Sequence, residues 1–197
     1  MFEIAEYIGV VAFVISGFLV GVRAKLDYLG VLISAFLTAL GGGILRDVIV
    51  NKTPYSFSHI EPGVTILLTF ALMIVLQKKA SIENRFLFIL SDSIGLVSFS
   101  ISGALVAIEN NLNLTGVLSL AFLTAVGGGI ARDIIINEVP FVFKTGFYGT
   151  ISLLIGLLIY LLKSFNNLNY LFLTILFFIS LFLRLIAYYK KWEIPKP

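Results

Sequence analysis

Two short stretches of this chain carry glycine, arginine and aspartate in the same order. They are Gly41-Gly42-Gly43-Ile44-Leu45-Arg46-Asp47 and Gly127-Gly128-Gly129-Ile130-Ala131-Arg132-Asp133. Both lie inside apolar runs, where charge is costly and defaults to a function with a named partner. Neighbours at i and i+1 do not face each other on a helix. The expected partners therefore lie across the two stretches, Arg46 with Asp133 and Arg132 with Asp47. Two compatible roles are open: a clamp near the helix ends, where long arginines snorkel, and a charged lining for a path through the membrane. Three consecutive glycines cost a helix roughly 1 kcal/mol each relative to alanine. The doubled cluster predicts an unwound or broken turn near the midplane, which survives only when buried in protein or lining a wet cavity. Close helix packing through small residues is the alternative. Thr38, Thr124, Ser34, Ser16 and Ser102 lie near the glycines and would add hydroxyls to such a path. Any one of them more often bonds its own backbone or a neighbouring helix.

Glu6 and Asp92 occupy equivalent places near the starts of two apolar runs. A carboxylate there satisfies the helix dipole, which is the expectation for Glu6. Asp92 is equally suited to attracting cations at an entrance. Asp27 and Asn113 precede Gly30 and Gly116 at cap spacing, and His59 falls in a loop. The chain has no cysteine and one histidine, so neither a thiolate site nor a multi-histidine metal site can form. No catalytic triad, carboxylate pair or phosphate loop appears, so the residues point to no enzyme, cofactor or bound metal. The basic residues sit at segment ends, a pattern of membrane orientation and not of nucleic-acid binding.

The elements that must position these groups are membrane helices. Of 197 residues, 59% are hydrophobic and 13% charged, with a mean hydropathy of +1.04; soluble domains carry about 25% charged residues. A crossing needs about 20 apolar residues. Seven segments fit: Ile4–Val22, Tyr28–Val50, Val64–Gln77, Phe86–Ile108, Leu114–Ile136, Gly146–Leu162 and Leu168–Tyr189. The first is expected to be a mature helix and not a signal peptide, because Glu3 stands where a basic start would be and no small-residue cleavage site is evident. Seven spans place the termini on opposite sides. Lys52 and Lys163 fall on the N-terminal side; Arg23, Lys25, Lys78, Lys79, Arg85, Lys144, Lys190, Lys191 and Lys196 fall on the other. The positive-inside rule then puts the C-terminus in the cytoplasm and the N-terminus outside. Lys78-Lys79 and Lys190-Lys191 suit anionic lipid headgroups, and Tyr188, Tyr189 and Trp192 suit an interfacial anchor.

The chain repeats itself. Phe36 to Pro54 aligns with Phe122 to Pro140 without gaps at an offset of 86, with thirteen of nineteen positions identical. Gly9, Phe13, Ser16-Gly17 and Gly30 meet Gly95, Phe99, Ser102-Gly103 and Gly116 at the same offset. Three spans per copy is an odd number, so the second copy enters the membrane inverted. The expected architecture is all-α and integral to the membrane. Residues 1–80 form the first three-helix repeat and 81–165 the second, inverted one. Residues 166–197 hold a peripheral seventh helix and a short tail.

These residues resemble the trimeric intracellular cation channel (TRIC) family, in particular its short prokaryotic members. The resemblance rests on Thr38 to Asp47 and its copy Thr124 to Asp133, on the Ser16-Gly17 and Ser102-Gly103 pairs, on Asp27 with Gly30, and on Asp92 with Gly95, and it covers nearly the whole chain. It implies a homotrimer in a prokaryotic plasma membrane, each protomer holding its own pore for monovalent cations, chiefly K+ with Na+ less discriminated. It implies that the second and fifth spans line that pore. The long charged C-terminal tail of animal members is not expected here, and the fourth span lacks the lysine linked to their gating. Some bacterial relatives resemble carriers of a small amino acid such as glycine, the second class of function. Gly149, Ser152 and Gly156 offer a small-residue surface for contact between protomers.

Overall fold

The computed structural model describes residues 2–79, 85–144, 146–165 and 168–192, and among them every regular element is α-helical. The order is α1 (Phe2–Arg23), α2 (Tyr28–Ile49), α3 (Tyr55–Ser58), α4 (Glu61–Lys79), α5 (Arg85–Glu109), α6 (Leu114–Ile135), α7 (Phe141–Lys144), α8 (Gly149–Ser164) and α9 (Tyr170–Tyr189). Seven of these follow the expected spans. The additional α3 and α7 are single turns that begin one residue after Pro54 and Pro140. Five helices, α1, α2, α5, α6 and α9, are long and apolar enough to cross a membrane; α4 and α8 hold the shorter apolar stretches.

The caps repeat at the offset of 86. The Asp27 carboxylate accepts from the Gly30 amide at 2.7 Å, and the Asn113 side chain accepts from the Gly116 amide at 2.9 Å. Lys25 and Asn111 share a positive φ of 56° and 54°, as Asn51 and Asn137 share 57° and 58°. These left-handed residues end α1, α5, α2 and α6 and turn the chain back.

At the centre, α1 crosses α5 and α2 crosses α6. A Cβ at Gly9 would collide with the Phe99 ring, and one at Gly95 with the Phe13 ring. The two rings stack at 5.2 Å with 13° between their planes. Residue 9 thus meets 99 while 95 meets 13, so α1 and α5 run in opposite directions. α4 packs on α1 and α2, and α8 packs on α5 and α6. Of the five long apolar helices, α5 is the most enclosed, with 89% of its apolar window buried, and α9 the least, with 28%. Within the single chain, α9 lies on the outside of the bundle. It still buries one stripe of Leu173, Leu176, Ser180, Arg184 and Ala187.

Gly149, Ser152 and Gly156 do not form an outer surface. Gly149 faces the Phe122 ring, Gly156 faces Ala121 and Leu118, and Ser152 is buried. They seat α8 on α6 within one chain.

Candidate functional site: two charge clusters flanking a glycine crossing

The glycine triplets do not break their helices. α2 and α6 run as continuous α-helix through Gly41–Gly43 and Gly127–Gly129. The expected unwound turn is corrected: the missing side chains serve packing. A Cβ at Gly42 would overlap the Thr124 carbonyl oxygen, and a Cβ at Gly128 the Thr38 carbonyl oxygen. One at Gly41 would lie 3.0 Å from the Gly128 Cα, and one at Gly127 2.7 Å from Leu45. Only glycine lets two helix backbones approach this closely. In this conformation α2 and α6 seal against each other at the crossing.

The third glycine of each triplet does something else. A Cβ at Gly43 would meet Glu6 Oε1 at 3.2 Å, with Arg46 Nη2 at 3.7 Å; a Cβ at Gly129 would have only Arg132 Nη2, at 3.8 Å. Both glycines face guanidinium groups; Gly43 is already close to the Glu6 carboxylate, whereas Gly129 leaves room beside Arg132.

The first charge cluster gathers around Arg46, which is fully buried. Its Nη1 donates to Glu6 Oε2 at 2.7 Å and to Ser102 Oγ at 2.6 Å, and its Nη2 reaches Glu6 Oε1 at 3.5 Å. Ser102 Oγ in turn donates to Glu6 Oε2 at 2.8 Å. Arg46 Nε donates to Asp47 Oδ1 at 2.8 Å, and Asp47 Oδ2 accepts the Tyr55 amide at 2.8 Å. Asp47 thereby holds the start of α3 against the end of α2.

The second cluster copies this plan with a gap in it. Arg132 Nε donates to Asp133 Oδ1 at 2.8 Å, and Asp133 Oδ2 accepts the Phe141 amide at 2.7 Å, which ties α7 to α6. Asp92 stands where Glu6 stands but is one methylene shorter. It reaches Arg132 only through Ser16: Arg132 Nη1 lies 3.5 Å from Ser16 Oγ, which donates to Asp92 Oδ1 at 3.2 Å.

The expected cross-repeat pairs, Arg46 with Asp133 and Arg132 with Asp47, are therefore corrected to pairs within each repeat. Side chains at i and i+1 diverge along a helix face, but these pairs sit where α2 and α6 end. Near the helix end each guanidinium turns its Nε onto the next residue while its fork points into the bundle. Glu6 is likewise corrected. It does not serve as a helix-end charge; it is 5% exposed and bridged to Arg46. The hydroxyls divide. Ser16 and Ser102 join the clusters, Ser34 donates to the Gly17 carbonyl of α1, and Thr38 and Thr124 bond back to the Ser34 and Leu120 carbonyls at 2.6 Å each.

Sequence reasoning missed Arg184. It is fully buried, its guanidinium carbon lies 4.8 Å from the Tyr148 ring centroid and 5.7 Å from that of Tyr188, and it shares the electrostatic neighbourhood of Asp92. The signal was present: it is the single charge inside an otherwise apolar span. Beside the second cluster, a cavity of about 170 Å³ is lined by Arg23, Arg132, Asp133, Glu138 and Lys144 together with Phe88 and Phe141. The exposed Lys144–Glu138 pair at 2.9 Å lies at this cavity and holds the Glu138 carboxyl below its usual range.

The family model described as Glycine transporter matches residues 3–78 and again 89–164. The chain belongs to this family. Its two matches stand 86 residues apart, in the register of the duplicated motif. The UPF0126 membrane protein YvgT of Bacillus subtilis is 33% identical over 98% of this chain and 95% of its own length. A UPF0126 membrane protein of Deinococcus radiodurans is 44% identical over 68% of this chain, a match spanning 63% of that relative. Among solved structures, a chain from a study of conductance through TRIC cation channels superposes with a TM-score of 0.89 at 35% identity, covering 100% of this chain and 97% of its own. A prokaryotic TRIC channel in 0.5 M KCl gives 0.88 at 28% identity, covering 98% of both chains. The protein is thus a multi-pass membrane protein of the TRIC channel fold.

Proposed function

We propose that the protein is a K+-permeable channel for monovalent cations, Na+ included. The observation that carries this reading is the full-length likeness to TRIC cation channels. The molecule's own geometry agrees with it. Two buried clusters of mixed charge flank the α2–α6 crossing, on either side of a point where two glycine-lined helices touch. A path along that line passes Ser102, Arg46 and Asp47, then Gly41–Gly43 with Gly127–Gly129 and Thr38 with Thr124, then Ser16, Asp92, Arg132 and Asp133. The crossing is its constriction, shut in this conformation, and conduction requires α2 and α6 to part there. The cavity reaching Arg132 and Asp133 is its mouth on the side of Arg23 and Lys144, the side we assign to the cytoplasm from the positive-inside rule.

The wider assignment is two inverted repeats, residues 1–80 and 81–165, followed by α9 and the tail in 166–197, with seven spans in all. The opposed directions of α1 and α5 support the inversion, and so does the α2–α6 contact, which pairs Thr38 with Gly128 and Gly42 with Thr124. We place the protein in a prokaryotic plasma membrane, N-terminus outside, as a homotrimer with one path per protomer. A second reading, a carrier of a small amino acid such as glycine, is favoured by the description of the matching family. Purified protein in a planar bilayer under a K+ gradient separates them: unitary current steps support the channel, and saturable glycine uptake without steps supports the carrier. Native mass spectrometry in mild detergent should give three chains; a conducting monomer or dimer would refute the trimer.

A further inference from the structure

The two clusters share one plan but not one state of completion. Around Arg46 the acid closes directly on the guanidinium. Around Arg132 the shorter acid, Asp92, leaves Oδ2 with no hydrogen-bond partner among the described residues, although Asp92 is 2% exposed. Close by, Arg184 is fully buried, and none of its three guanidinium nitrogens has a hydrogen-bond partner among the described residues. The two groups carry opposite charge and lie within each other's field; their other charged or titratable neighbours are the Tyr148 hydroxyl, which also reaches Asp92, the Tyr188 hydroxyl beside Arg184, and the Arg132 guanidinium. Arg184 instead rests on the faces of Tyr148 and Tyr188. A buried charge without its hydrogen bonds is costly, and here each of the two is what the other lacks.

We propose that Asp92 is a two-position latch shared between Arg132, reached through Ser16, and Arg184, and that its swing couples the docking of α9 to the state of the second charge cluster. Asp92 suits this role because it is too short to close on Arg132 as Glu6 closes on Arg46. α9 has no counterpart in the repeat, so the latch exists on one side of the molecule only. Arg184 is then a positioning residue: it acts on the cluster through Asp92.

The test uses the absence of native cysteine. Ala187 is 1% exposed on the buried stripe of α9, so Ala187→Cys reports undocking of that helix through its rate of thiol labelling. Asp92→Glu restores the missing methylene, closes on Arg132 and deprives Arg184 of its partner. Labelling should quicken by roughly tenfold, the scale of one charge-assisted hydrogen bond. Arg184→Gln should quicken it as much, and adding Arg184→Gln to Asp92→Glu should change nothing further. If Asp92→Glu does not fold, Asp92→Asn serves, because it weakens both positions and carries the same non-additivity. Parental labelling in the single variants, or strictly multiplicative effects in the double, overturns the proposal. Glu6→Asp opens the other cluster without touching α9 and should leave labelling unchanged; faster labelling there would show general loosening and also overturn it. The readout needs no ion flux, so a failure to conduct leaves this test standing.

Discussion

Alanine at Gly42 should destabilise the protein, whereas alanine at Gly129 should not. Both substitutions add one methyl group to a helix interior. On helix propensity alone each should stabilise by about 0.5–1 kcal/mol. The surroundings decide the sign. At Gly42 the new methyl overlaps the Thr124 carbonyl oxygen, and that oxygen belongs to a rigid helix backbone and not to a yielding side chain. Relief requires α2 and α6 to separate along the whole crossing, where a Cβ at the neighbouring Gly41 would already lie 3.0 Å from the Gly128 Cα. Carbon atoms prefer about 3.5–4.0 Å, so the shift is about 0.5–1 Å there and larger at Gly42. Overpacking of this kind costs about 1–3 kcal/mol, occasionally more, which exceeds the propensity gain. At Gly129 the nearest atom is the Arg132 Nη2 at 3.8 Å, an ordinary contact. The assay is thermal unfolding in mild detergent, compared with the parent, with Gly128→Ala expected to follow Gly42→Ala. If Gly42→Ala is as stable as Gly129→Ala, the crossing is not sealed by backbone contact and the packing account is wrong.

Three further outcomes are expected. Glu6→Gln leaves Arg46 with Asp47 as its one remaining carboxylate among the described residues and should cost about 1.5–3 kcal/mol, the scale of a hydrogen bond to a charged group, and Arg46→Gln in the same chain should recover part of it; strictly additive losses in an unfolding cycle would exclude the bridge. Glu138 has a depressed carboxyl pKa in the folded state, so the stability it contributes is present above its unfolded pKa and is lost as pH falls through the folded one. The effect is small because the pair is exposed; Lys144→Ala should flatten it in acid titrations of unfolding, and an unchanged acid limb would remove this pair from the account. For orientation, Asn51→Cys should react with an impermeant thiol reagent from outside the cell and Lys25→Cys only after permeabilisation; the reverse pattern would invert the topology.

The sequence determined the membrane character, the extents of the spans and the duplication, because these depend on composition and spacing alone. Apolar runs long enough to cross hydrocarbon must become helices, and Asp27, Asn113, Gly41–Gly43 and Arg46-Asp47 belong to patterns that recur at a fixed offset whatever the fold does. The sequence also marked Arg46, Asp47, Arg132 and Asp133 as the charges that matter. It did not decide their pairing, and the cross-repeat pairs expected from it gave way to Arg46–Asp47 and Arg132–Asp133, because partners are set by where helix ends meet in space. Glu6 lies forty residues from Arg46 and Ser102 fifty-six, and no local pattern reports such distances. The same limit applies to the glycines. Three in a row are compatible with a broken helix and with a close crossing, and only the position of the Thr38 and Thr124 carbonyls selects the crossing. Arg184 shows the limit most directly. Its sequence context is an apolar span outside the repeat, while the tertiary packing of α9 on α5 put its charge beside Asp92, where the one-methylene difference between aspartate and glutamate gains a consequence.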